Sequence, residues 1–273
     1  MQGKVKRRDA PVPAQMLKLA LQGKKRPSGH RGAAMKINLI YHSGFSLELE
    51  KSILLFDWYR GELPEFQRRK DGEEKDYYIF ATHSHSDHFS EKIFSLRKNG
   101  RRTHYILSSD IREKFPPSLS SDCSFLSPGE SLSLSGLFVR AFFSTDLGAA
   151  FHVEIEGRSI FHAGDLNLWY WEGEPEEENL WQEKRYREEI RSYRDFLGGR
   201  TLDCAFLPLD PRLEKHALDG FLYFLEEISA RAFIPMHYWD SASDAKAYLS
   251  DPRLSPWLDK IHFLKKTEEF ALQ

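Results

Sequence analysis

The sequence predicts an α/β fold, a sandwich of two sheets with helices outside, and three observations carry that expectation. Short apolar, β-prone runs bounded by turn residues fill the first half of the chain. Helical periodicity grows in the second half, and several of the strands end in residues able to ligate a metal. With 273 residues, 41% of them hydrophobic and 14% aromatic, the chain suffices for a large packed core, and one α/β domain is the simpler reading.

Residues 1–34 differ in composition from everything after them. They hold nine Lys or Arg against one acid, Asp9, together with Pro11, Pro13 and Pro27. Such a segment buries too little apolar surface to order itself and is expected to be a basic, flexible tail. The sharper alternative is an arm that binds RNA or anionic lipid. Met35 then opens a domain running over 35–273. Strands are expected over 37–41, 46–50 and 52–56, in a run ending at Thr82, and over 104–107 with a helix near 110–114. More follow around Ser124 and Leu132 and over 137–143, 150–156 and 159–162. The last two are joined by Glu156-Gly157-Arg158, with glycine at the turn. Over 170–200 the rhythm breaks into a helical insertion near the cleft. Its mixed-charge run Glu183-Lys184-Arg185-Tyr186-Arg187-Glu188-Glu189 reads as an exposed helix, and at least one of Trp169, Tyr170 and Trp171 should face the cleft. Leu218, Phe221, Leu222, Leu225 and Ile228 form a core stripe on a helix that leads to a strand over 232–235.

The densest chemistry lies in Ala81-Thr82-His83-Ser84-His85-Ser86-Asp87-His88, which places three histidines and one aspartate in six residues after the apolar run Asp76-Tyr77-Tyr78-Ile79-Phe80. In an extended chain residues i and i+2 share a face, so His83 and His85 can reach one ion at the strand's end. A turn at Ser86-Asp87 swings His88 toward a second ion beside the first. A polar loop of exposed histidines is the bland alternative, and four ligand-type residues at this density argue against it.

His83-x-His85-x-Asp87-His88 resembles the signature of the metallo-β-lactamase fold hydrolases. There it follows a strand and precedes a helix, matched here by 90–98 with Ser90 as N-cap. The resemblance covers about residues 35–265. It is nearest to a broad group of uncharacterised members that includes relatives of the ascorbate-lactone hydrolases. It implies a four-layer αββα sandwich of two mixed sheets and a binuclear metal site. His83 and His85 would serve the first ion, Asp87, His88 and His237 the second, and Asp165, in Phe161-His162-Ala163-Gly164-Asp165, would join both. The family usually adds a third histidine to the first ion from a loop that here reads Ser144-Thr145-Asp146-Leu147-Gly148. Asp146 is the first candidate for that place. His152, within a strand and facing away from Phe151, Val153 and Ile155, is the second. A carboxylate there hardens the site toward Mn²⁺ or Fe²⁺, with Zn²⁺ the plainest expectation for both ions.

A pair of divalent ions lowers the pKa of a shared water and stabilises the oxyanion formed on attack, so the implied enzyme is a metal-dependent hydrolase cleaving an ester, lactone, amide or phosphoester in a small substrate. Asp87 would orient the nucleophile and take its proton. Asp57 would hold the far nitrogen of a ligating histidine. Arg212 and Asp210, after the strand over 203–206, would contact an anionic substrate, with turn-capping or a local ion pair as the structural alternative. His42, within Tyr41-His42-Ser43-Gly44, falls where the cleft should be and receives no role. No G-x-S-x-G elbow, P-loop or dinucleotide-binding glycine pattern occurs.

The remaining features bound the alternatives. The net charge of -2 gives no overall bias toward nucleic acid, so a nuclease of the same fold is the runner-up, and a non-hydrolytic metal or redox protein stands behind it. Cys123 and Cys204 form no C-x-x-C pair and read as buried thiols of a reducing compartment. No run of eighteen apolar residues occurs, nor the apolar core of a secretory signal, so a cytoplasmic enzyme without membrane partners is expected.

Overall fold

The computed structural model describes residues 34–64, 75–97, 102–115, 121–134, 136–266 and 268–273. The expected basic tail over 1–34 lies outside the described residues except for its last position. The first sheet contains β1 (Met35–Tyr41), β2 (Gly44–Glu48), β3 (Ser52–Phe56), β4 (Asp76–Ala81), β5 (Thr103–Ser108) and β6 (Cys123–Leu126), with β13 (Glu269–Leu272) beside β1. The second orders β12 (Ala230–Met236), β11 (Leu202–Pro208), β10 (Arg158–His162), β9 (Ala149–Ile155), β8 (Leu137–Phe143) and β7 (Ser131–Leu134).

Both sheets are mixed. β1, β2 and β3 pair antiparallel and β3 to β6 parallel, while β7 to β10 pair antiparallel and β10 to β12 parallel. Parallel neighbours bring their carboxyl ends to one edge, where such folds place their ligands. β9 and β10 meet in a two-residue turn with Glu156 at φ 48° and Gly157 at φ 73°, the left-handed pair that a tight hairpin matched to strand twist requires.

Aromatic rings interlock between the sheets. Phe45 of β2 lies 4.4 Å from Phe206 of β11, and Phe56 of β3 stacks on His162 of β10 at 4.9 Å. All seven residues of β11 are buried because both of its faces are covered, which suits a near-continuous apolar run.

The outer layers depart from expectation in two places. α1 (Glu176–Leu197) is not simply exposed: Tyr186, Ile190, Tyr193 and Leu197 recur at helical spacing and are buried. Tyr193 stacks on Phe161 of β10 at 4.3 Å. The dense charge around that stripe masks it in the sequence. On the first sheet, the helix after the motif is a six-residue 3₁₀ turn, Glu91–Leu96, whose N-cap Ser90 accepts the Lys92 N–H. It and the 3₁₀ turn Ser109–Lys114 cover Ile79, Tyr105 and Leu107. Among the described residues the other α-helices are α2 (Asp219–Glu227), which buries Leu222, Leu225 and their neighbours as expected, and α3 (Ala242–Ala247). Among the described residues no helix is long and apolar enough to cross a membrane.

Candidate metal centre

Among the described residues, five segments bring ligand-type side chains together at the edge where the parallel strands end. β4 stops at Ala81, and its extension is tied across the sandwich, the Ala149 N–H donating to the Thr82 carbonyl at 2.9 Å. The chain then turns at Ser86, Asp87 and His88, closed by the His88 and Phe89 N–H groups on the His85 carbonyl at 3.0 and 2.9 Å. Asp110 accepts the Ser84 N–H at 2.8 Å and Lys114 donates to the Ser84 carbonyl at 2.8 Å, pinning the loop from outside. The turn interrupts the i, i+2 parity that would group Asp87 with His83 and His85, and leaves His83 and His85 in one cluster and Asp87 and His88 in the other.

Two clusters result. His83, His85, Asp146 and Asp165 form one, with ligand atoms within 4.8 Å of one another; His42, Asp87, His88 and His237 form the other to the same limit. Asp165 stands between them. Its Oδ2 lies 3.5 Å from His83 Nε2, while its Oδ1 lies 3.1 Å from His88 Nε2 and 3.2 Å from His237 Nε2. In the first cluster Asp146 Oδ2 is 3.6 Å from His85 Nδ1, so the loop that lacks the usual histidine brings a carboxylate to its place.

The donor set fits divalent cations. Nε2 of His83, His88 and His237 and Oδ1 of Asp165 are buried without a hydrogen-bond partner. Such orphaned groups cost about 1–3 kcal/mol each. Imidazole nitrogen mixed with carboxylate oxygen suits zinc, manganese or iron.

A second layer of bonds sets the tautomers. Asp57, fully buried at the end of β3, lies 2.8 Å from His88 Nδ1 and accepts the Thr82 N–H at 2.8 Å and the Thr82 hydroxyl at 2.7 Å. Since that hydroxyl donates to Asp57, it is an acceptor for His83 Nδ1 at 3.1 Å. Asp210 lies 3.1 Å from His237 Nδ1. Each of these three rings thus holds a proton on Nδ1 and keeps the Nε2 lone pair for the centre.

Asp210 takes the turn-capping and ion-pairing role of the structural alternative in place of a substrate contact. Its carboxylate caps the Arg212 N–H at 3.0 Å, accepts from Arg212 Nε and Nη2, and is engaged by His237; it is fully buried. It therefore orients its neighbours and presents nothing to a substrate. Arg212 is half-exposed, its guanidinium 5.6 Å from the Trp171 ring and 5.8 Å from Trp239. Trp169 packs edge-on against His237 at 5.4 Å and stacks on Trp171 at 6.1 Å, so the triplet meets the centre through Trp169, while Tyr170 stacks on His216 at 4.0 Å. His152 is remote from both clusters, buried with Nδ1 2.9 Å from the Tyr193 hydroxyl and Nε2 3.1 Å from Glu154. It is the satisfied strand histidine of the alternative reading.

The residue missed as a cluster member is His42, in the β1–β2 turn. Its signal was the polar Tyr41-His42-Ser43-Gly44 after a strand; one histidine in a turn carries no spacing pattern.

Electrostatics mark the same residues. Burial opposes charge on His88 and His237, but Asp165 beside both outweighs it, so His88 is raised well above the ordinary histidine range and His237 to about 9. Burial would raise Asp165; the His88 and His237 rings beside it hold it well below the carboxylate range instead. For His83 burial dominates and lowers it to about 4. Asp146 is raised by burial and then by Asp165.

A cation must displace the protons from His88 and His237. A histidine raised this way stabilises the chelator-stripped chain fully below the ordinary 6.5, and ceases to do so as pH climbs through about 9. Thermal stability of stripped protein should therefore fall between those values, while metal affinity rises about tenfold per pH unit for each proton displaced. Calorimetric zinc titrations in two buffers of different ionisation enthalpy measure the release; buffer-independent heats at pH 7.5 would contradict it.

No family model matches the chain. A UPF0173 metal-dependent hydrolase of Korarchaeum cryptofilum is 28% identical over 144 residues, 50% of this chain and 62% of that protein. The match thus spans about three fifths of that relative's length. Among solved structures, Igni18, a metallo hydrolase from Ignicoccus hospitalis, superposes with TM-score 0.61 at 16% identity, covering 88% of this chain and 99% of that one. The metallo-β-lactamase fold protein YhfI of Bacillus subtilis does so with TM-score 0.57 at 11% identity, covering 88% and 99%. The two mixed sheets and their flanking helices are the metallo-β-lactamase fold.

Proposed function

We propose that the protein is a cytoplasmic metal-dependent hydrolase that cleaves an ester, lactone, amide or phosphoester bond in a small anionic substrate at a two-cation centre. The observation that carries this reading is Asp165, one oxygen turned to each cluster. His83, His85 and Asp146 would hold one cation, Asp87, His88 and His237 the other, and Asp165 both. Divalent cations held by these residues, most simply zinc, would supply Lewis-acid chemistry that acidifies water and favours negative charge on a substrate oxygen.

The side chains do the rest. Burial alone would raise Asp87, but His42 and His88 beside it pull it below the ordinary carboxylate range, so it is ionised at neutral pH, ready to orient a water and accept its proton. Arg212, whose Nε and Nη2 donate to Asp210, is half-exposed and would offer its remaining N–H groups to an anionic substrate. Two free cysteines suit a reducing compartment. Lactones stand beside esters, amides and phosphoesters as substrates because the motif resembles that of the group that includes the ascorbate-lactone hydrolase relatives; the near-neutral net charge speaks against nucleic acid.

The test is a panel of lactone, thioester, phosphodiester and β-lactam substrates run with zinc, manganese and iron. Turnover that chelation abolishes and metal restores is the expected result. For an anionic substrate Arg212→Met should raise KM about 10- to 100-fold, the loss of one charge-assisted contact, with little change for a neutral ester. Bound iron with visible absorbance and no hydrolysis across the panel would overturn the reading in favour of redox chemistry.

A further inference from the structure

His42 differs from the other buried rings of the centre in one bond. His83, His88 and His237 each face an acceptor with Nδ1, whereas His42 Nδ1 receives the backbone N–H of Trp239 at 3.3 Å. A neutral imidazole that accepts on Nδ1 carries its proton on Nε2, and a protonated Nε2 has no lone pair for a cation.

The ring has little freedom to escape this arrangement. His42 sits at φ 56° in the tight β1–β2 turn, and its carbonyl accepts the His237 N–H at 3.4 Å. Its ring lies 4.1 Å from that of His237 and 4.2 Å from that of Trp239. One layer deeper His162 repeats the pattern, accepting the Gly164 N–H at Nδ1 (3.2 Å) and donating from Nε2 to the Ser43 carbonyl (3.0 Å), which fixes the same turn. The buried Nε2 of His42 has no partner within hydrogen-bond reach, and Asp87 Oδ2 lies 3.6 Å away.

We propose that His42 is a positioning residue and not a metal ligand: its Nε2–H donates to Asp87 and fixes the carboxylate assigned to water orientation. This rests on the two-cation reading of the centre but not on hydrolysis.

Zinc alone serves as the probe, on the full chain. In a crystal structure of the zinc-loaded protein His42 Nε2 should stand beyond about 3 Å from either ion and within about 3.2 Å of the Asp87 carboxylate; a zinc–nitrogen distance near 2.1 Å would overturn the proposal. His42→Gln, which keeps an amide donor, should still bind two zinc equivalents, whereas His237→Gln should lose one; loss of one equivalent in His42→Gln contradicts the assignment. Should that variant not fold, the wild-type crystal still decides. Where a substrate is in hand, His42→Leu should lower kcat about tenfold at unchanged KM and His42→Gln should restore most of it. Equal losses in both variants would mean the ring acts through packing alone. The crystallographic and zinc-counting results are read without substrate, so they stand whether or not the hydrolytic reading survives.

Discussion

Asp165→Asn is expected to abolish tight binding of both cations and to lower turnover about a thousandfold or more. The carboxamide keeps the shape of the side chain and removes its charge. His88 and His237 Nε2 lie 3.1 and 3.2 Å from Oδ1 and His83 Nε2 lies 3.5 Å from Oδ2, so one substitution reaches both clusters. An Asp146→Asn change touches the first cluster only and should cost one equivalent. Truncation to alanine also leaves the buried ring groups uncompensated, a loss of about 3–5 kcal/mol, which makes asparagine the cleaner probe. Elemental analysis and zinc competition with a chromophoric chelator measure both effects. Two retained equivalents in Asp165→Asn would refute its bridging position.

Gly148→Ala should unfold the protein at markedly lower temperature and weaken the first cluster with it. A Cβ at Gly148 would stand 2.2 Å from the Thr82 carbonyl oxygen, 2.5 Å from His83 Cβ and 3.0 Å from His83 Cα, at φ +74°. Two of those atoms are backbone, so the strand end carrying His83 must shift. Overpacking costs about 1–3 kcal/mol and the left-handed conformation about 1 more, a total near 3 kcal/mol. For a domain of this size that lowers Tm by roughly 6–12 °C. Gly157→Ala is the control, because its φ of +73° is nearly the same and nothing lies within 4 Å of the added Cβ. Calorimetry of both variants isolates the close approach; equal losses would show that backbone conformation alone sets the cost.

Asp165 was legible in the sequence, and the tight place of Gly148 against Thr82 and His83 was not. The motif, the glycine-aspartate at the end of β10 and the histidine after β12 are local patterns at strand ends, and strand order brings them to one edge. The β9–β10 hairpin was readable because its two-residue Glu-Gly turn imposes its own geometry. Asp146 could be named because the resemblance pointed to one loop, and that loop offered one carboxylate.

What sequence did not disclose depends on contacts between distant segments. His42 joins the second cluster only because the first sheet packs against the end of β12, nearly two hundred residues away. Asp210 became an orienting group once His237 and Arg212 were seen to occupy it. The buried face of α1 was hidden by Glu and Arg on its other faces. β13, four residues pairing with β1, was too short to register.

The central claim is that Asp165 joins two cations in one centre, and anomalous scattering from crystals of the metal-loaded protein tests it most directly. Two peaks per chain, about 3.5–4 Å apart with one Asp165 oxygen on each, are predicted. A single peak, or two peaks with Asp165 bound to neither, would contradict it.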